Sequence, residues 1–138
     1  MIIDATDLIV GRMATVVAKK ALLGEEIHIV NSENAVLTGR PKEILESYKQ
    51  TRRRGIPLRG PYFPRMPHMI VKRTIRGMLP YKKPKGREAL ERIKCHIGVP
   101  ESLSKEKAET IESANVKKTD AKFIYIKEIS KQLGAKIE

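Results

Sequence analysis

Residues 1–31, MIIDATDLIVGRMATVVAKKALLGEEIHIVN, decide the fold. Ile2-Ile3 is a short apolar run, and behind it stand Asp4, Thr6 and Asp7, residue types that cap helices. Val10, Met13, Ala14, Val17 and Ala21 then recur every three or four residues, with Arg12, Thr15, Lys19 and Lys20 between them. That spacing predicts an amphipathic helix to Leu23, stopped by Gly24. Ile27-His28-Ile29-Val30 reads as a buried strand ended by Asn31. A strand, a crossover helix and a second strand of these lengths favour a parallel sheet with a right-handed connection, hence an α/β fold.

Outward from this unit the pattern is coarser. Asn31 to Arg40 reads as a connection, and Pro41 suits the first turn of a helix running to about Gln50. Gly55, Pro57, Gly60, Pro61, Pro64 and Pro67 mark a loop. From Met69 to Met78 helical spacing returns, with Lys72, Arg73 and Arg76 on one arc and Ile70, Val71, Ile75 and Met78 on the other. Pro80 and Pro84 bracket a second basic loop, followed by a short helix over Gly86–Lys94 and a strand at Cys95-His96-Ile97. Residues 98–120 are rich in Glu, Lys and Ser and suggest no definite element. Phe123 to Leu133 reads as a final helix capped by Gly134. No repeat or linker divides the 138 residues, so a single domain is expected.

Charge is distributed very unevenly. Between Ser47 and Arg87 there are thirteen Lys or Arg and no Asp or Glu, a local +13 in a chain whose net charge is +12. Four of the six aromatic residues (Tyr48, Tyr62, Phe63 and Tyr81) and six of the eight prolines lie in the same window. Arginine forks match phosphate, aromatic rings stack on unpaired bases, and proline lowers the entropy lost when a loop is ordered on a partner. A merely solvated face would leave this charge repelling itself, so a polyanion is the better reading, and the stacking residues favour folded RNA over duplex DNA. Uncompensated charge and missing apolar periodicity also suggest basic loops that are mobile in the free protein. The segment 69–78 is too short, and too poor in Trp and Phe, for a membrane-surface helix.

Other classes find less support. No apolar run approaches membrane length and the N-terminus lacks a signal peptide, while the lone Cys95 fits a reducing compartment, so a soluble intracellular protein is expected. His28, His68 and His96 match no zinc spacing, and no nucleophile elbow is present. The loop after Ile3 has no glycine-rich phosphate motif, and its two acids would repel phosphate. No catalytic residue, metal, cofactor or small-molecule substrate is expected. An RNA-modifying enzyme on a nucleotide-binding α/β fold is the alternative; a free DNA-binding module would need a helix-turn-helix or zinc finger, and neither is seen.

The segments Asp4-Ala5, Gly11-Arg12-Met13-Ala14, Val30-Asn31-Ser32-Glu33, Thr38-Gly39, Arg76-Gly77-Met78-Leu79-Pro80, Gly86-Arg87 and Ile97-Gly98-Val99-Pro100 occur in a fixed order. In order and spacing they resemble the universal large-subunit ribosomal protein thirteen family. Gly60-Pro61-Tyr62-Phe63-Pro64-Arg65 is similar to its archaeal and eukaryotic branch, and the short C-terminal end suggests an archaeal source. The chain departs from the pattern at His96, where the family often has an aromatic residue. The resemblance implies a three-layer α/β/α sandwich around a small, mainly parallel four-stranded sheet. It also implies a cytoplasmic structural protein that binds large-subunit ribosomal RNA early in assembly, beside other ribosomal proteins. In that setting Arg52, Arg53, Arg54, Arg59 and Arg65 are expected to meet phosphates along the first loop. Lys72, Arg73 and Arg76 would do so from one helix face, and Lys82, Lys83, Lys85 and Arg87 from a third anchor, with Tyr62 and Phe63 as stacking residues.

Overall fold

The opening segment folds as its periodicity predicts. β1 (Ile2–Asp4), α1 (Val10–Leu22) and β2 (Ile27–Val30) follow one another in the computed structural model, which describes residues 1–136. β1 and β2 pair in parallel, with Ile3 opposite Ile29. β4 (Ile93–Cys95) pairs in parallel with the other side of β2, placing Cys95 opposite Ile29. The order β1-β2-β4 leaves β2 in the middle. A parallel strand covered on both faces needs an almost continuous apolar run, and Ile27, Ile29 and Val30 are indeed buried.

The single four-stranded sheet is not what forms. Among the described residues the strands divide into this three-stranded parallel sheet and a separate antiparallel pair, β3 (Val36–Thr38) with β5 (Phe123–Tyr125). At the free edge of β1 the next position is filled by Glu109, in a lone parallel bridge to Ile3. Its carbonyl accepts from the Asp4 amide at 2.9 Å and its own amide donates to the Ile2 carbonyl at 2.8 Å. The bridge stays isolated: beyond it Thr110 and Ile111 leave the sheet edge and lead into the turn at Glu112–Ala114, with Ile111 packed on the core.

Several boundaries move for local reasons. Proline supplies the preset φ of a first helical turn three times, at the starts of α2 (Pro41–Arg53), α3 (Pro67–Arg76) and α4 (Pro84–Glu91). Pro84 therefore begins a helix and does not close a loop, which shifts α4 and β4 two residues earlier than expected. Lys85 and Arg87 consequently lie on α4. Helix α2 runs on past Gln50, so Arg52 and Arg53 occupy its last turn. The expected final helix over 123–133 divides into β5 and a shorter α5 (Ile126–Gln132). Nor do Asp4, Thr6 and Asp7 cap α1: Ile9 holds the N-cap position and makes no side-chain capping bond.

The core is aliphatic, as a chain with no Trp requires. Helix α1 buries Val10, Met13, Ala14, Val17, Ala18 and Ala21 and lies against α3 and α4. Helix α3 turns Ile70, Val71 and Ile75 inward and also meets β4 and α5, on which α2 rests. Burial of each large side chain here stabilises the fold by about 1.5–3 kcal/mol. Met78, expected on the buried face of α3, instead lies beyond Gly77, the C-cap, and is 43% exposed. A smaller cluster of Ile9, Val36, Val116 and Tyr125 joins β3 and β5 to the polar C-terminal segment.

The turn from α3 to α4 is Arg76-Gly77-Met78-Leu79-Pro80. Leu79 is buried, and the Pro80 carbonyl lies directly against Gly86 on α4. A Cβ at Gly86 would collide with that carbonyl oxygen and stand 2.7 Å from the Tyr81 nitrogen. Both obstacles are backbone, so no side chain can swing aside. Gly86→Ala should therefore destabilise the protein by about 3 kcal/mol in urea denaturation, and a stability within about 0.5 kcal/mol of the parent would contradict this packing.

Candidate nucleic-acid interface

Three of the sequence motifs meet at the C-terminal ends of the parallel strands, where open α/β folds bind ligands. Here that edge is occupied by the chain itself. The Asp4 carboxylate accepts from the Thr6 amide at 3.0 Å, the Thr6 hydroxyl at 2.7 Å and Asn31 Nδ2 at 3.1 Å. Burial alone would raise its pKa, but these hydrogen bonds outweigh burial and hold it below the usual value. Asn31 adopts φ 54°, a left-handed turn that its short polar side chain tolerates. Two residues on, Glu33 Oε2 accepts from the Gly98 amide at 3.0 Å. Asp7 takes a hydrogen bond from the Tyr125 hydroxyl at 2.8 Å and lies 3.9 Å from Lys117. The acids that an enzyme would use at this edge are committed to joining β1, β2 and the C-terminal segment.

The cationic segment is built differently. Among the described residues there are three ion pairs, Arg40–Glu43, Lys117–Asp7 and Lys118–Glu112, and none involves a cation between residues 47 and 87. Seven of the fourteen residues singled out from sequence line one open cleft of about 620 Å³ between the end of α2, the following loop and α3. They are Arg52, Tyr62, Phe63, Arg65, Lys72, Arg73 and Arg76, and no carboxylate lines the cleft with them. Met66, Met69 and Leu90 give it apolar wall. Arg52 and Arg65 of the first expected anchor thus share one concavity with Lys72, Arg73 and Arg76 of the second, while Arg53, Arg54 and Arg59 do not line it.

Within it the side chains have distinct positions. The Arg52 guanidinium donates to the Phe63 carbonyl, so this arginine ties α2 to the loop. Phe63 receives the edge of Tyr48 at 5.7 Å between centroids and carries the Arg73 guanidinium 5.0 Å above its ring. Its ring, expected to stack on a base, is packed by these two neighbours and still lines the cleft. Tyr62 is different: its hydroxyl bonds to the Pro57 carbonyl at 2.5 Å while the residue stays 68% exposed. The loop itself is closed by backbone hydrogen bonds between Ile56 and Gly60, at 3.2 and 2.8 Å. Gly55, at φ +88°, packs where a Cβ would meet the Gly60 carbonyl. The expected mobile loop thus has internal structure, and Arg54, Arg59 and Leu58 are held outward on it.

Lys82, Lys83, Lys85 and Arg87 form a second exposed group at the turn and first turns of α4. Arg76, 4.8 Å over the Tyr81 ring, stands between this group and the cleft. Arg53 does not join the cleft; its Nε donates to the Lys49 carbonyl at 3.3 Å. No helix is long and apolar enough to cross a membrane among the described residues.

Sequence reading did not anticipate the histidines. His28 on β2 and His96 just after β4 are brought together by the parallel pairing, with Nδ1 and Nε2 3.1 Å apart and rings stacked at 12°. One ring must donate and the other accept, so the contact cannot hold two protonated rings. Burial, then the charges of His28, His68 and Lys94, lower the His96 pKa; burial and Lys72 lower that of His68. Burial pushes the Cys95 thiol up to about 12 against an opposing effect of Lys72, which makes it a poor nucleophile. Because His68 and His96 resist protonation in the folded chain, the unfolded chain binds more protons below the ordinary value of 6.5. Stability should accordingly be fully present near neutrality and fall as pH drops from about 7 to about 5. His96→Phe should flatten that fall in denaturation curves at several pH values; an unchanged pH profile would refute the assignment to this contact.

Comparison with known proteins agrees with the motifs. The family model described as "Ribosomal protein L13" matches residues 1–102. The chain is 47% identical to a protein of Methanosarcina barkeri over 98% of each chain, and 48% identical to one of Methanocaldococcus jannaschii over the same shares. It is 46% identical to one of Archaeoglobus fulgidus, over 96% of this chain and 86% of the relative. All three are named "Large ribosomal subunit protein uL13".

Proposed function

The chain belongs to the ribosomal protein L13 family, and on that premise we propose that it is a structural, non-catalytic constituent of the large ribosomal subunit. It binds ribosomal RNA, supports early assembly and works in the cytoplasm beside neighbouring large-subunit proteins. The observation that carries the RNA contact is the set of thirteen cations over residues 47–87, none of them in an ion pair among the described residues. A polyanion supplies the missing counter-charge, and folded RNA supplies it in a shape that fills a cleft.

Each group then has a role set by its place. Arg65, Lys72, Arg73 and Arg76 meet RNA around the cleft, Arg54 and Arg59 from the closed loop, and Arg53 from the end of α2. Lys82, Lys83, Lys85 and Arg87 engage a second stretch of backbone from the start of α4. Arg52 acts chiefly as a strut for the loop, Tyr62 offers a ring to an unpaired base, and Phe63 supports Arg73. The neutral α/β part holds these groups at fixed separations.

Binding of full-length protein to transcribed large-subunit RNA should weaken steeply with salt. If about eight phosphates are engaged, log affinity should fall against log salt with a slope of roughly −6 to −7. Replacing Lys82 and Lys83 together by Ala should make that slope shallower by about 2, because each lysine neutralises one phosphate. An affinity nearly independent of salt would overturn the reading.

A further inference from the structure

The cleft holds an arrangement that phosphate binding alone does not require. Phosphate is satisfied by any accessible cation, and Lys82 and Lys83 offer such charges in full exposure. Arg73 instead lies over Phe63, at 5.0 Å from the ring centroid, and is partly buried. The ring beneath it is fixed from two further directions: Tyr48 meets it edge-on and Arg52 donates to its backbone carbonyl. A guanidinium held over an anchored ring is restrained in position, and Arg73 still lines the open cleft. Both Arg73 and Phe63 line the cleft, together with the apolar side chains of Met66 and Met69. Met69 is 50% exposed, an apolar surface left in the middle of a cationic one.

We propose that this cleft receives a single unpaired nucleobase, extruded from the RNA and stacked on the outer face of Arg73. The inference rests on the RNA-binding reading above and adds a ligand class to one part of it. Base, guanidinium and phenyl ring form a three-layer stack, the mode by which arginine planes hold splayed bases in single-stranded RNA. Met66 and Met69 cover the edges of the base, where polarizable thioethers suit an aromatic guest. Lys72, Arg76 and Arg65 neutralise the flanking phosphates. A volume of about 620 Å³ is in the range of small-ligand pockets and accommodates a nucleotide. An apolar side chain from a neighbouring protein would also fit Met69, but the cationic rim without a carboxylate favours the nucleotide.

The deciding variant is Arg73→Lys, which keeps the charge and removes the plane. With transcribed large-subunit RNA, its affinity should fall roughly tenfold while the salt slope stays unchanged. Methylation footprinting of the same complex should show one unpaired adenine or cytosine protected by the parent protein and reactive again with the variant. Phe63→Leu, which removes the supporting ring, should reproduce both effects, and circular dichroism should show both variants folded. If Arg73→Lys binds and protects like the parent while affinity remains steeply salt-dependent, the nucleobase site is overturned and the general RNA reading stands. If the variant binds RNA normally yet fails to enter subunits beside other ribosomal proteins, the cleft holds protein and the proposal is likewise overturned. If the parent shows no salt-dependent binding, the broader reading fails first.

Discussion

One carboxylate, that of Asp4, sets the frame on which the rest of the molecule is hung. It gathers Thr6 and Asn31 at the ends of β1 and β2. By holding Asn31 in a left-handed turn it directs the chain away from the sheet. The next elements depend on that direction: Glu33 reaches Gly98 beyond β4, and Val36 arrives opposite Tyr125. The polar residues at this edge thus work as joints. In other α/β proteins the same edge is left open for a ligand, and there the cost is a less rigid scaffold. Here the concentrated positive charge lies elsewhere, on helices and loops inserted between β3 and β4.

That separation gives the two parts of the chain different energetics. The neutral part draws its stability from aliphatic burial and from acids that already have partners. The cationic part repels itself and contributes mainly Ile70, Val71, Ile75 and Leu79 to the core. Its cations are kept near one another by aromatic contacts, Arg73 on Phe63 and Arg76 on Tyr81, which do not neutralise them. Charge is thereby held in an ordered array without a carboxylate to relieve its repulsion.

The sequence made some of this legible and hid the rest for identifiable reasons. The β1-α1-β2 unit could be read because long apolar periodicities have few alternative explanations. β3 and β5 could not: each is three residues long, and no breaker separates Tyr125 from the helix after it. The fourteen candidate residues stood out by charge, aromaticity and proximity in sequence. Their grouping was hidden, because the cleft depends on α2 continuing to Arg53 and on a side chain bonding to a carbonyl eleven residues away. The His28–His96 contact joins residues 68 positions apart and follows only from strand register. A local pattern carries no trace of it.

The close approach of Gly86 to Pro80 has a geometric consequence for the cations on either side of it. With backbone seated on backbone, the turn after α3 is fixed against the first turn of α4, so Lys82 and Lys83 hold a set position beside Lys85 and Arg87. Any displacement of the turn must carry α4 with it, so these four cations move as one unit.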